Sequence, residues 1–290
     1  MGVLRGAAIG TSWQVRFAGS APAGLRDAIE RRFAAIVAEM SQWEPSSVLS
    51  RFNRASAGAW VTLPPDFATV IAAALDVAAR SDGAFDPTHG RAAALLGFGA
   101  EAVTAPPSEA ALGEARAAAG WQRLEWDSGA RRLRQPGGLW LDLSGIAKGF
   151  AVDAIADLLR DHGLPDALVE VGGELAGRGL RPDRQPWWVD LESPPGVDLA
   201  PLRVGLHDLA VATSGDYVRG AHTIDPATGR PLARGTVSVS VIHASAMLAD
   251  AWATALTVAG PPLAERESLA ARFVGANETL SPQLSAMIAD

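Results

Sequence analysis

Residues 139–173 read LWLDLSGIAKGFAVDAIADLLRDHGLPDALVEVGG, and the order of structure within them sets the fold class. Leu139, Leu141 and Leu143 alternate with Trp140, Asp142 and Ser144, the period of a half-buried strand. Gly145 and Gly149 bracket a tight turn, and Lys148 to His162 then follows helical spacing until Gly163 and Pro165 stop it. A second apolar strand, 167–171, ends on the pair Gly172-Gly173. A glycine pair in that place calls for a sharp reversal or a close neighbour.

The flanks extend the pattern in blocks. Residues 10–18 alternate as a strand, and Leu25, Ile29, Phe33, Ile36, Val37 and Met40 place an amphipathic helix over 23–41. SQWEPSSVLSRFN (41–53) reads as a polar loop, and Pro65 opens a helix to about Arg80 with Phe67, Val70, Ile71 and Leu75 inward. Ser108 caps a short Ala-rich helix ending at Gly120, and segments 121–126 and 131–134 flank the turn Asp127-Ser128-Gly129 as strands. Further strands are expected at 187–191, 209–213 and 237–242, the last with Val237, Val239 and Val241 on one face. A final helix runs from about Ser245 to Ala259, ended by Gly260-Pro261-Pro262. Strands and helices thus come in runs without strict alternation, which predicts an α+β fold with largely antiparallel sheets packed by helices. No composition shift marks a boundary, so 1–290 is expected as a single domain, with 102–107 and 181–186 as hinge candidates if two lobes enclose a cleft.

Composition narrows function. A net charge of −7 disfavours binding to nucleic acid or to an anionic membrane surface, and a polyanionic ligand would need local help from a metal or backbone amides. The absence of cysteine excludes disulfides, thiolate metal sites and a Cys nucleophile. MGVLRGAAIGTSWQVRF holds no apolar run long enough for a signal peptide or a span, and Gly6 stands where a myristoylation signal wants Ser or Thr. The expectation is a cytoplasmic protein, or a periplasmic one if a leader has been removed.

Five stretches carry the chemistry. In LADAWATAL (248–256), Asp250 and Thr254 are four apart and share a helix face in otherwise apolar surroundings. Two oxygens so placed suit a hard cation such as Mg²⁺, although an exposed Asp with a Thr bonded back to its helix fits the same letters. In LDLSGIAKGFAVD (141–153), Lys148 follows a glycine turn at a helix N-terminus, where amides attract phosphate; an ordinary turn with a solvated Lys is the alternative. ALVEVGGELAGRG (167–179) lacks the GxGxxG spacing of a dinucleotide fold, and Glu174 reads either as a ligand group or as a solvated turn carboxylate. SDGAFDPTHG (81–90) places Phe85 as core and leaves His89 structural. VATSGDYVRGAHTIDPATGRPL (211–232) gathers Thr213, Ser214, Asp216, His222 and Asp225; a His beside acids is a general-base candidate, while Asp225-Pro226-Ala227-Thr228-Gly229 is good turn chemistry by itself. His162, His207 and His243 have no metal spacing, and no G-x-S-x-G elbow occurs.

Together with GTSWQV (10–15) and SQWEPSSVLSRFN (41–53), these pieces resemble, in order and across nearly the whole chain, the FAD:protein FMN transferases of the ApbE family. Such enzymes cut the diphosphate of FAD and join FMN through a phosphoester to a Thr or Ser of a target flavoprotein, releasing AMP. The resemblance implies an α+β fold, a Mg²⁺ held by Asp250, Thr254 and the backbone carbonyl of Ala147, and His222 as base toward the acceptor hydroxyl. It further implies Trp43 near the flavin and Ala84, Phe85 and Asp86 near the adenine. Ser144, Lys148, Glu174, Thr213, Ser214 and Thr223 would line the FAD cleft. Two departures stand out: Ile9 replaces the usual Met before Gly-Thr, and only Val218-Arg219-Gly220-Ala221 separates Tyr217 from His222. That short segment bears on acceptor recognition and keeps a Mg²⁺-dependent FAD diphosphatase in view; a non-catalytic flavin-binding protein would need neither the metal pair nor the His.

Overall fold

A computed structural model describes residues 1–217, 220, 222–232 and 238–289. Its first half contains β1 (Gly2–Ala8), β2 (Thr11–Phe17), α1 (Leu25–Met40), α2 (Val48–Asn53), β3 (Trp60–Thr62), α3 (Pro65–Arg80), α4 (Gly90–Ala93) and α5 (Glu109–Ala118). β4 (Glu125–Asp127), β5 (Arg132–Arg134), α6 (Ala147–Asp161), β6 (Ala167–Val171), β7 (Glu174–Arg178), β8 (Trp187–Asp190) and β9 (Arg203–Leu206) follow. The remainder is β10 (Leu209–Gly215), β11 (Ile224–Asp225), β12 (Arg230–Pro231), β13 (Ser238–His243), α7 (Ala246–Ala259), α8 (Pro261–Arg266), β14 (Ala270–Val274), β15 (Glu278–Leu280) and α9 (Pro282–Ala289). Eight strands form one sheet in the order β1-β2-β6-β7-β10-β13-β14-β15, and each neighbouring pair is antiparallel. The expected α+β class with largely antiparallel sheet is what the chain adopts. No described helix is long and apolar enough to cross a membrane.

The period of two decides what each sheet face buries. Ala167, Val169 and Val171 of β6 enter one core with Ala210 and Ala212 of β10 and Val239 and Val241 of β13, under α1, α3, α6 and α7. Leu168, Val211 and Ile242, one residue out of step on the same strands, enter a second cluster. That cluster is closed by Trp187, Val189, Val204 and Leu206 of the β8–β9 hairpin and by Leu284 of α9. With both faces covered, the central strands bury residues of both parities, Val239 and Val241 on one side of β13 and Ile242 on the other.

Helix ends follow the expected chemistry. The Ser245 side chain accepts from Leu248 N–H at the start of α7, and that of Ser108 accepts from Ala111 N–H at the start of α5. α7 has a second anchor. The Asp153 carboxylate on α6 accepts from Ser245 Oγ (2.7 Å) and from the backbone N–H groups of Ala246 and Met247 (3.0 Å each). It thereby satisfies orphan donors of one helix from the side of another.

Three expectations change. Residues 139–143 are not a strand: only Trp140 makes a bridge, to His89. Leu139, Leu141 and Leu143 are buried as the alternation requires, but their backbone partners lie elsewhere. The Asn53 amide holds both polar groups of Leu141 (2.8 and 3.0 Å), and Asp142 N–H donates to Pro87 O at 2.8 Å. The first half of 121–126 is a helical turn, Trp121–Arg123, before β4, and the 41–53 loop contains α2, capped by Ser47. Val237, expected in a strand, and Val218, Arg219 and Ala221 of the short segment before His222 lie outside the described residues.

α6 and α7 pack through glycine. A methyl group on Gly149 would fall 2.1 Å from the Ala246 carbonyl oxygen and 2.8 Å from Asp250 Cβ, so Ala there must push the helices apart. Gly113 on α5 is the counterexample, with nothing within 4 Å of an added methyl. Gly149→Ala is expected to lower stability by about 1–3 kcal/mol, whereas Gly113→Ala should raise it by ~0.5–1 kcal/mol. Urea unfolding of the two variants beside the parent measures both; equal midpoints would mean the close approach is not maintained in solution.

Candidate functional site

A cleft of about 530 Å³ opens between the α6–α7 pair and the loops carrying Phe85, Phe98 and His222. That volume is in the range of small-molecule sites. A more apolar groove of about 550 Å³ adjoins it, and the two share Trp43, Asp142, Ser144 and Lys148.

One wall is built by two glycines facing two oxygens. Gly145 and Gly149 are one helical turn apart where the chain enters α6, and Asp250 and Thr254 are one turn apart on α7. Asp250 Oδ2 accepts from Gly149 N–H at 3.0 Å. The Thr254 hydroxyl lies against the turn, 2.7 Å from where a methyl on Gly145 would stand. Asp250 is 5% exposed, which removes the reading of a solvated helix carboxylate. Burial pushes its carboxyl above the ordinary range, against the opposing pull of Lys148 and of the Gly149 N–H. Glu174 is likewise not a solvated turn residue. The Gly172-Gly173 reversal, with φ of +61° and +103°, is the tight hairpin that delivers it to the start of β7. It is 1% exposed, ion-paired with Lys148, and raised to about 7 by burial, with Asp250 adding to the rise and Lys148 opposing it.

This wall is short of positive charge. Among the described residues, two buried carboxylates face the Lys148 ammonium, and Glu174 Oε2 is buried without a hydrogen-bond partner. A hard divalent cation fits that setting, because the side-chain donors are oxygens and a buried carboxylate needs a counter-charge. Among the described residues no three His, Asp or Glu side chains cluster as a metal set, so main-chain, hydroxyl or ligand oxygens would complete the shell. Ala147, expected to lend its carbonyl, is the first residue of α6 and lines the adjoining groove rather than the cleft. The helix N-terminus contributes less to anion binding than its position suggests. The amides of Ala147, Gly149 and Phe150 already donate to Leu143 O, Asp250 and Ile146 O.

The opposite wall is made of loops. His222 lines the cleft, with Phe98 edge-on to its ring at 6.3 Å. Its Nδ1 is 2.9 Å from Gly220 O and 3.4 Å from Asp216 Oδ1. Thr223 is buried and gives its hydroxyl to the same Asp216 oxygen at 3.0 Å. Ala84, Phe85 and Asp86 all line the cleft, but Phe85 is 4% exposed and packs under Gly145 as a core residue would. Asp86 spends its oxygens on the loop, accepting from Thr88 N–H (2.9 Å), Thr88 Oγ1 (2.6 Å) and Trp121 N–H (3.2 Å). His89 beside it is buried and lines the same cleft, and that burial lowers its pKa despite the neighbouring Asp86.

The floor is β10. Thr213 and Ser214 reach the cleft there, with the Thr213 hydroxyl 2.8 Å from that of Ser240 on β13. Ser144 N–H and Oγ–H both donate to Asp142 Oδ1, at 2.8 and 2.6 Å. Trp43, 55% exposed, stands where the two cavities meet, an apolar plane left open to solvent. Every expected residue except Ala147 therefore lines one cleft. Sequence reading did not single out Phe98, which follows a Gly97 at φ +90°, nor Asp153, whose one signal was its place at the end of the 141–153 motif.

The sequence matches the family model described as the ApbE family over residues 9–273. It is 36% identical over 272 residues to a Vibrio cholerae FAD:protein FMN transferase, covering 89% of this chain and 81% of that one. The Salmonella typhimurium protein of the same name is 33% identical over 311 residues, 99% of this chain and 89% of the relative. The apo crystal structure of the Pseudomonas stutzeri flavinyl transferase ApbE superposes with a TM-score of 0.91 at 32% identity, over 100% of this chain and 97% of that one. Extent of sequence match and likeness of fold agree along the whole length, and the chain belongs to the ApbE family.

Proposed function

We propose that this protein is a Mg²⁺-dependent FAD:protein FMN transferase that joins FMN through a phosphoester to a Thr or Ser of a target flavoprotein. The observation that carries the reading is the pair of walls: buried oxygens short of positive charge on one side, a histidine on the other, across a cleft sized for a nucleotide. Names of relatives at 32–36% identity support it.

Asp250 and Thr254 would hold the ion from the cleft side, the Ala147 carbonyl could join them only from the adjoining groove, and the ion would supply the positive charge that a diphosphate needs beside two carboxylates. The chain does the rest. Lys148, fixed by Glu174, adds a cation next to the phosphates. Trp43 offers an aromatic face to a planar ring. His222 accepts the proton of the acceptor hydroxyl as its oxygen bonds to the flavin-side phosphorus. The bond from that phosphorus to the bridging oxygen breaks, and AMP leaves with that oxygen. Thr213, Ser214 and Ser144 present hydroxyls to the substrate.

Incubating the protein with FAD and Mg²⁺, with and without a fragment carrying an acceptor Thr, tests the reading. Protein-linked flavin fluorescence is the expected result. Free FMN and AMP with no adduct would mean a diphosphatase, and intact bound FAD a binding protein. Asp250→Ala should remove turnover while the far-ultraviolet circular dichroism is unchanged, and full activity of this variant in Mg²⁺ would rule out the metal site. His222→Ala should slow transfer by ~10²–10⁴-fold with FAD affinity little altered; an undiminished transfer rate would take His222 out of the chemistry.

A further inference from the structure

We infer that Asp216 is a positioning residue for His222. Together with the Gly220 carbonyl it keeps the ring proton on Nδ1, leaves the lone pair on Nε2, and faces the charge the ring gains when it takes a proton. The kinetic part of this inference rests on the proposed transfer reaction; the tautomer does not.

Both groups beside Nδ1 can only accept. The Gly220 carbonyl oxygen is 2.9 Å away and the Asp216 Oδ1 3.4 Å away. A neutral imidazole carries one N–H, and a lone pair on Nδ1 would point at two oxygens, so the hydrogen belongs there. The Gly220 oxygen takes the shorter bond and also accepts the His222 backbone N–H at 2.7 Å. Asp216 stands at ion-pair distance, where it contributes charge more than direction.

Asp216 is itself held. Its Oδ1 accepts from Thr223 Oγ1 at 3.0 Å and Thr223 N–H at 3.4 Å, Thr223 is 7% exposed, and the Asp216 side chain is 13% exposed. It follows directly on β10, whose Thr213 and Ser214 form the cleft floor, so the carboxylate is tied to the sheet while His222 sits on a loop. Phe98 limits the ring from a third side. A carboxylate at one nitrogen of a histidine, itself fixed by further hydrogen bonds, is the arrangement that orients a base and stabilises its protonated form. In the transfer step the acceptor O–H bond breaks, the proton moves to Nε2, and the resulting imidazolium has Nδ1–H toward Asp216.

The test begins with the full chain, its histidines labelled with ¹⁵N, at a pH about two units above the ordinary imidazole value. His222→Gln identifies the His222 signals. The expected spectrum has Nδ1 as the protonated nitrogen and Nε2 as the bare one; the reverse assignment overturns the inference whatever the activity. Asp216→Asn keeps size and an acceptor oxygen but removes the charge. It should lower kcat for flavin transfer by ~10–100-fold, with KM for FAD within about twofold of the parent, and Asp216→Ala should lower kcat at least as far. A parent-like kcat in Asp216→Asn overturns the inference. If the Nδ1–H form is found and no acceptor is ever flavinylated, the transferase reading fails and the tautomer assignment stands.

Discussion

A carboxylate taken out of water must find a positive charge, a set of donors or a proton. Asp250 is the group on which this site turns. It is buried on α7 against the start of α6, accepting from the Gly149 N–H and near the Lys148 ammonium. Glu174 draws on the same ammonium. Burial displaces each carboxylate toward its neutral form, with Lys148 opposing the rise in both. Packing alone would have replaced such residues with apolar ones of similar volume. Much of the surrounding architecture keeps this arrangement from relaxing. Gly149 lets α6 and α7 approach until only hydrogen fits between them, Gly145 does the same beside Thr254, and Asp153 locks the start of α7 to the side of α6.

The elements that bury one face were legible in the sequence. α1, α3 and α7 announce themselves through apolar spacing, an opening Pro65 or a capping Ser245, and the structure returns each to within two residues. What escaped has physical reasons. β1 carries Gly2 and Gly6 at the positions where Phe17 and Trp13 of β2 lay their rings, so its core-facing side keeps only Leu4 and Ala8 and the alternation is too weak to read. β14, Ala270–Val274, is buried at every position, and such a run has no period to detect. The 139–143 stretch has the alternation of a strand without the pairing. Its ladder partners are an asparagine side chain and a loop, and alternation reports only which side chains are buried.

The site was legible in a different sense. Asp250 and Thr254 could be placed on one helix face from spacing, but spacing does not say whether that face meets water, and burial is what turns an ordinary Asp into a charge in need of a partner. Glu174 shows the same gap. Its glycine pair signalled a tight reversal, yet that the reversal ends inside the protein, beside Lys148, depends on the crossing of β7 under α6. The link between Asp216 and His222 was less accessible still: six residues apart in a turn-rich segment, they meet only because Thr223 folds back on the carboxylate.

On the proposed mechanism, the two walls divide the labour that phosphoryl transfer requires. Charge is needed where the diphosphate would sit, and the α6–α7 wall offers two helices tied together through Asp153 and Asp250, because electrostatic stabilisation is worth most where the groups do not have to reorganise. A base is needed on the other side, where the acceptor hydroxyl of a second protein must arrive. That side consists of loops, a surface that a large substrate can approach without disturbing the core. A histidine on a loop would ordinarily surrender the orientation that proton transfer demands. Anchoring it to Asp216 at the end of β10 returns that orientation from the sheet, so the entrance can stay open while the ring nitrogen keeps its direction. The acidity of the chain bears on the same proposal: a net charge of −7 repels a free polyanion, so a bound divalent cation would have to answer the nucleotide's charge in the cleft.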